Sequence, residues 1–138
     1  MTELMFKEEV YAIIGAAMEV HREKGCGFSE PVYQECMEIE FEYLNLPAVP
    51  KPSLALSYRG RVLRQNYVPD FICHGKIVLE LKAVSQLADE HRAQVLNYLN
   101  ATDLELGLLV NLGHYPKLEW ERIVRTAKPV PAFGTISS

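Results

Sequence analysis

The sequence lacks the features that mark several protein classes. It has only three cysteines, Cys26, Cys36 and Cys73, and none of them forms a C-x-x-C pair. This usage argues against a disulfide framework and a zinc site, and it favours a reducing compartment. The longest apolar runs, near 11–18 and 106–110, are far shorter than a membrane span. The acidic N-terminus does not resemble a signal peptide. We therefore expect a cytoplasmic protein with no membrane segment.

Positive charge is also scarce. The 14 Lys and Arg residues are outnumbered by 18 Asp and Glu residues, so that the net charge is −4. This balance disfavours a protein that coats nucleic acid, because phosphate neutralisation supplies most non-specific affinity. It does not exclude an enzyme whose site is itself acidic. Three arginines lie close together, Arg59, Arg61 and Arg64, and we interpret them as part of a solvated hairpin turn.

The 138 residues suffice for one domain with a proper core, and no repeat or low-complexity segment interrupts them. Apolar spacing predicts helices over 3–23, from Ser29 to just before Pro47, and between Asp89 and Asp103. The prolines at 47, 50 and 52 predict an extended connector. Strands are predicted over 54–58 and 62–65 around an Arg59-Gly60 turn, around Asp70, and over 76–81, 104–111 and 120–124. A helix between two strands predicts a right-handed βαβ unit, so we expect an α/β domain with a mixed sheet.

The stretch Asn66–Val84 carries the main candidate for chemistry. It predicts two short strands joined by a His74-Gly75 turn, with Asp70 on the first strand and Glu80 and Lys82 on the second. Residues two apart on a strand share a face, so Glu80 and Lys82 lie together. Two carboxylates can hold a hydrated Mg²⁺, and an adjacent lysine can orient an attacking water. A solvated hairpin with a surface Glu–Lys pair fits the same pattern.

Two further motifs stand on predicted helices. Gly27, Glu30 and Tyr33 form a G-x-x-E-x-x-Y pattern at the start of the second helix. Its ordinary reading is an acid that favours the helix dipole, followed by a core tyrosine. Gln94 and Tyr98 lie one turn apart on the third helix and share a face. Their ordinary reading is a partly buried glutamine packed beside a tyrosine.

Together and in this order, these motifs resemble the GxxExxY protein family, which is placed in the PD-(D/E)XK nuclease superfamily. The resemblance covers about residues 5–125. It implies a single-domain α/β PD-(D/E)XK nuclease-like fold, with an α-β-β-β-α-β core and a mixed sheet flanked by helices. We expect that domain over residues 1–127 and a loosely held C-terminal tail over 128–138.

The resemblance also implies roles for individual residues. Glu30, Asp70 and Glu80 would hold Mg²⁺ or Mn²⁺, and Lys82 would position the nucleophilic water. Gln94 would complete the catalytic group, while Tyr33 and Tyr98 would contact the substrate. The function implied is a metal-dependent nuclease that hydrolyses DNA or RNA phosphodiester bonds.

Two alternatives remain at this stage. One is a catalytically silent binding or regulatory module with the nuclease fold. The other is a nuclease subunit that needs a protein partner. A homodimer formed through an edge near 104–110 or through the Trp120 strand is a further possibility.

Overall fold

A computed structural model of the chain describes residues 4–125. Two helices come first, then five strands, a third helix and two final strands. The elements are α1 (Lys7–Lys24), α2 (Glu30–Tyr43), β1 (Ala48–Pro50), β2 (Leu54–Tyr58), β3 (Arg61–Tyr67), β4 (Phe71–Cys73), β5 (Ile77–Lys82), α3 (Asp89–Thr102), β6 (Leu106–Asn111) and β7 (Glu119–Val124).

Five of the strands form one mixed sheet in the order β1-β4-β5-β6-β7. Strands β5 and β6 are parallel and are joined through α3, whereas the other neighbours are antiparallel. This confirms the predicted α/β class and the predicted mixed sheet with helices beside it. The prediction that a 104–110 edge pairs protomers is wrong, because β6 lies between β5 and β7.

The connections differ from the sequence prediction in two places. The proline-rich connector contains β1, whose Pro50 is tolerated because β1 is an edge strand. Asp70 is not within a strand but immediately precedes β4. Strands β2 and β3 pair only with each other, in a separate two-stranded sheet. Their turn is the predicted one, with left-handed φ angles of 50° at Arg59 and 78° at Gly60, as a tight hairpin requires.

The sheet has a core on each face. Leu79 and Leu81 of β5 pack into the core that includes α1 and α2, and Val78 packs into the core formed with α3. The contact with α3 depends on Gly107 of β6, where an added Cβ would lie 2.4 Å from a methyl carbon of Val95. A glycine there lets α3 come close to the sheet, on the face that carries Glu80 and Lys82.

The ends of the chain qualify the predicted boundaries. Helix α1 begins at Lys7 rather than at residue 3, because Phe6 before it has a left-handed φ of 53°. The predicted tail over 128–138 lies outside the described residues. Among residues 4–125, no helix combines the length and apolar character needed to cross a membrane.

Candidate active site

Asp70 and Glu80 form a buried pair of carboxylates, with only 6% and 4% of their surfaces exposed. Phe71 pairs with Leu79 in antiparallel register, so Asp70, just before Phe71, lies beside Glu80, just after Leu79. The Asp70 amide donates to Glu80 Oε1 at 3.2 Å, and the Leu81 amide donates to Asp70 Oδ2 at 2.7 Å. The backbone amides of Asp70 and Leu81 therefore hold both carboxylates in place.

Burial makes ionisation of Glu80 costly. Desolvation first, and then the charge of Asp70, raise the pKa of Glu80 from 4.5 to about 8, against the opposing effect of Lys82. A second buried negative charge is thus poorly compensated by the protein itself. A cation that replaced the proton of Glu80 would stabilise its ionised carboxylate.

Lys82 begins a chain of hydrogen bonds that leads to α3. Its Nζ lies 3.6 Å from Glu80 Oε2 and donates to Gln94 Oε1 at 2.7 Å. Gln94 Nε2 donates to the Tyr98 hydroxyl at 3.2 Å. The Tyr98 hydroxyl in turn donates to the Val68 carbonyl at 3.2 Å. The amide orientation of Gln94 follows from having a donor on one side and an acceptor on the other. The chain directs the ammonium group toward Glu80.

The two tyrosines do not lie where a substrate can reach them. Tyr33 is completely buried, and its hydroxyl donates to the Gly25 carbonyl and accepts from the Phe28 amide. The prediction of substrate contact is wrong for Tyr33, and the ordinary reading as a core residue is right. Tyr98 is only 3% exposed. Burial, followed by the charge of Glu80, raises the pKa of its hydroxyl well above the usual value, so Tyr98 serves as a hydrogen-bond donor inside the site.

The predicted set of three carboxylates is not assembled. Within residues 4–125, no group of three His, Cys, Asp or Glu side chains lies close enough together to hold a metal ion. Glu30 is exposed at the first position of α2, and it lines a pocket of about 500 Å³ that Asp70 also lines. The prediction is therefore corrected to a buried pair, Asp70 and Glu80, with Glu30 facing a pocket that Asp70 lines and Glu80 does not.

Lys51, which sequence reasoning missed, is bound directly to this pair. Its Nζ lies 2.6 Å from Asp70 Oδ1, and its amide donates to the Asp70 carbonyl at 2.9 Å. Partial burial lowers the pKa of Lys51, but the hydrogen bond to Asp70 and the charges of Asp70, Glu80 and Glu30 raise it overall. The sequence offered no signal for this contact, because Lys51 lies in the proline-rich connector.

Gln34 of α2 supports the backbone at the same point. Its Nε2 donates to the Asp70 carbonyl at 3.2 Å and to Glu38 Oε2 at 3.1 Å. The Oε1 atom is buried without a hydrogen-bond partner. Helix α2 therefore fixes the position of Asp70 through a side chain that the motif does not name.

The donor chemistry of the pair fits a divalent cation. Carboxylate oxygens are the ligands that Mg²⁺ and Mn²⁺ prefer, and a magnesium ion held by one or two carboxylates keeps several waters. The raised pKa of Glu80 points the same way, because a cation would replace its proton. His91 of α3 accepts a hydrogen bond from the Ala88 amide at the start of that helix.

Comparison with known proteins places this geometry in a family. The crystal structure of SSO0001 resembles the chain with a TM-score of 0.57 and 18% sequence identity, covering 89% of this chain and 59% of that one. The chain thus spans about three fifths of the length of that protein, and the likeness shows a shared fold. No curated protein matches the chain. A family model of the PD-(D/E)XK nuclease superfamily matches residues 7–123. The chain therefore belongs to the PD-(D/E)XK nuclease superfamily.

Proposed function

We propose that the protein is a metal-dependent nuclease that hydrolyses phosphodiester bonds of DNA or RNA, and that within its superfamily it belongs to the GxxExxY group. Membership of the superfamily suggests a nuclease, and PD-(D/E)XK nucleases generally use divalent metals. The observation that carries the proposal is the buried Asp70–Glu80 pair beside Lys82. Burying two carboxylates side by side destabilises the fold, and such arrangements are typical of catalytic and metal-binding sites.

Asp70 and Glu80 are the residues that would hold Mg²⁺ or Mn²⁺. A metal ion held there would lower the pKa of a bound water and offset charge on the phosphate. Glu30 adds negative charge to the pocket that Asp70 lines. The Leu81 amide holds Asp70 Oδ2, whereas Asp70 Oδ1 is in contact with Lys51.

Lys82 orients the attacking water and offers a positive charge next to the reacting phosphate. Its largely buried side chain is held by Gln94, and Tyr98 holds Gln94 in turn. Gln94 and Tyr98 are thus positioning residues, which act through Lys82. This assignment gives the Gln–Tyr motif of α3 a physical purpose without substrate contact by the buried tyrosine.

A second candidate is a nuclease-fold module that binds nucleic acid without turnover. The contact between Lys51 and Asp70 favours it, because a lysine already neutralises one of the two carboxylates. The first candidate remains the better supported, since the pKa of Glu80 stays raised to about 8 despite the nearby Lys82 and a bound cation would stabilise its carboxylate. If the protein binds metal but cleaves nothing, the first candidate becomes a nuclease subunit that acts only with a protein partner.

Calorimetric titration of Mn²⁺ into wild type and into Glu80→Gln tests the proposal. We expect binding by the wild type that is lost in the variant, and cleavage when the loaded wild type is incubated with mixed DNA and RNA. Binding without cleavage would favour the module or the partner-dependent subunit. Absence of Mn²⁺ binding by the wild type would refute the proposal.

A further inference from the structure

The β2–β3 hairpin forms a two-stranded sheet of its own, and its Leu54 and Tyr67 pack against the core that contains Tyr98 of α3. Its base is fixed there, because the rings of Tyr67 and Tyr98 lie 4.6 Å apart and Asn97 Nδ2 donates to the Tyr67 hydroxyl at 3.3 Å. Three residues after Tyr67 the chain reaches Asp70. Every residue of β3 before Tyr67 is exposed, so both faces of the strand are open to solvent.

Charge is distributed very unevenly around this hairpin. Residues 54–67 contain three arginines and no acidic residue, and therefore carry a charge of +3. The whole chain carries −4, so the remaining residues together carry −7. The net charge of −4 is therefore the sum of a basic hairpin and an acidic remainder of the chain.

The hairpin arginines also differ from several other arginines in their ion pairs. Among the described residues 4–125, no carboxylate forms an ion pair with Arg59, Arg61 or Arg64. Other arginines of the protein do form such pairs, as Arg22 does with Glu19 at 2.7 Å. The three exposed guanidinium groups of the hairpin are therefore available to an external anion.

Their arrangement suits a nucleic-acid backbone. Arg59 lies at the turn, while Arg61 and Arg64 are three apart on β3 and so point to opposite faces. At about 3.3 Å per residue, Arg64 lies roughly 10 Å along the strand from Tyr67, and Arg61 roughly 20 Å. A two-stranded ribbon fits the major groove of a duplex, where cations on both faces meet phosphates on both walls.

We propose that the β2–β3 hairpin is a nucleic-acid-binding arm, with Arg59, Arg61 and Arg64 contacting phosphates near the bond held at Asp70 and Glu80. The inference rests on the proposed function for its substrate class. It replaces the interpretation of these arginines as a merely solvated turn. Tyr58, which is 66% exposed and pairs with Arg61 across the hairpin, offers a ring for stacking on an unpaired base.

The test measures binding and does not depend on cleavage. Wild type and the triple variant Arg59→Gln/Arg61→Gln/Arg64→Gln are titrated, in EDTA, into a short fluorescein-labelled oligonucleotide, and anisotropy is read at several salt concentrations. We expect the variant to bind weaker on the order of 10- to 100-fold at about 0.1 M salt, with the slope of log K against log salt flatter by about 2 to 3. Single-stranded and duplex DNA and RNA arms identify whether the arm tracks one strand or enters a groove.

A matched control removes the same charge elsewhere. The variant Lys7→Gln/Lys24→Gln/Lys117→Gln changes three exposed lysines on α1 and on the loop before β7. We expect it to keep both the affinity and the salt slope of the wild type, and thermal unfolding checks that both variants are folded.

Equal losses in the two triple variants, no loss in the arginine variant, or no binding by the wild type would each overturn the inference. The proposed function fails separately, through absence of Mn²⁺ binding by the wild type. A wild type that cleaves while the arginine variant binds normally would keep the nuclease and remove the arm.

Discussion

Replacement of Glu80 by glutamine should stabilise the metal-free protein, and the gain should grow with pH. Glutamine keeps the size of the side chain and an oxygen that accepts from the Asp70 amide, as Glu80 Oε1 does at 3.2 Å. It removes the charge that burial and Asp70 make costly. The prediction follows from the pKa of Glu80, which rises from 4.5 to about 8 on folding.

The sign follows from linkage. A carboxyl group with a raised pKa in the folded state stabilises the fold below its unfolded pKa, and that contribution is lost as the pH rises through the folded pKa. Metal-free wild type should therefore lose stability between about pH 4.5 and pH 8 relative to the variant. From the raised pKa of Glu80, we expect the free energy of unfolding of the variant, relative to that of the wild type, to grow by roughly 2 to 3 kcal/mol from pH 5 to pH 7.

Urea unfolding in EDTA at pH 5, 6, 7 and 8 measures this difference. The exposed Glu42 at the end of α2 provides the control, because Glu42→Gln removes a carboxylate that the fold does not bury. Added Mn²⁺ should reverse the order at pH 8, stabilising the wild type and leaving Glu80→Gln unchanged. Parallel pH profiles for wild type and Glu80→Gln would refute the argument that burial raises the pKa of Glu80.

Three further changes test neighbouring parts of the site. Lys51→Met should raise the affinity for Mn²⁺ about tenfold, or about 1.4 kcal/mol, because an ammonium group 2.6 Å from Asp70 Oδ1 no longer competes with the cation; an unchanged Kd in calorimetry would contradict this. Lys82→Ala should keep Mn²⁺ binding but lose cleavage of nucleic acid, and retained turnover would remove its assigned role. Gly107→Ala should cost about 1 to 3 kcal/mol in urea unfolding, because the new methyl group would meet Val95; Gly15→Ala in α1 serves as a comparison, because Gly15 has open space around it.

The features predicted correctly from the sequence are those that neighbouring residues determine. The turn at His74-Gly75 needs left-handed φ angles, which are 55° and 68° in the structure. The apolar run that ends at Asn111 forms β6, which is buried throughout. Helix α3 ends at Thr102, with Asp103 in a left-handed conformation. Each of these outcomes depends on local pattern and chain conformation, so one sequence suffices.

The features that were missed depend on contacts between distant segments. Lys51 and Asp70 are 19 residues apart, and only the pairing of β1 with β4 brings them together. The burial of Tyr33 was one of two readings of its motif, and helical spacing alone does not choose between a core position and a rim position. Such choices depend on what packs against the helix, which a periodic pattern does not contain.

The charge of the chain shows the same limit and bears directly on function. A net charge of −4 argues against nucleic-acid binding only if charge is spread evenly. Here the fold places two buried carboxylates near the base of a hairpin whose three arginines have no ion-pair partner among residues 4–125. A polyanion that approaches such a protein is repelled by the body at long range, but salt screens that repulsion beyond about 10 Å at 0.1 M. Contact is then governed by the local field, so net charge is a poor guide to whether this protein binds nucleic acid.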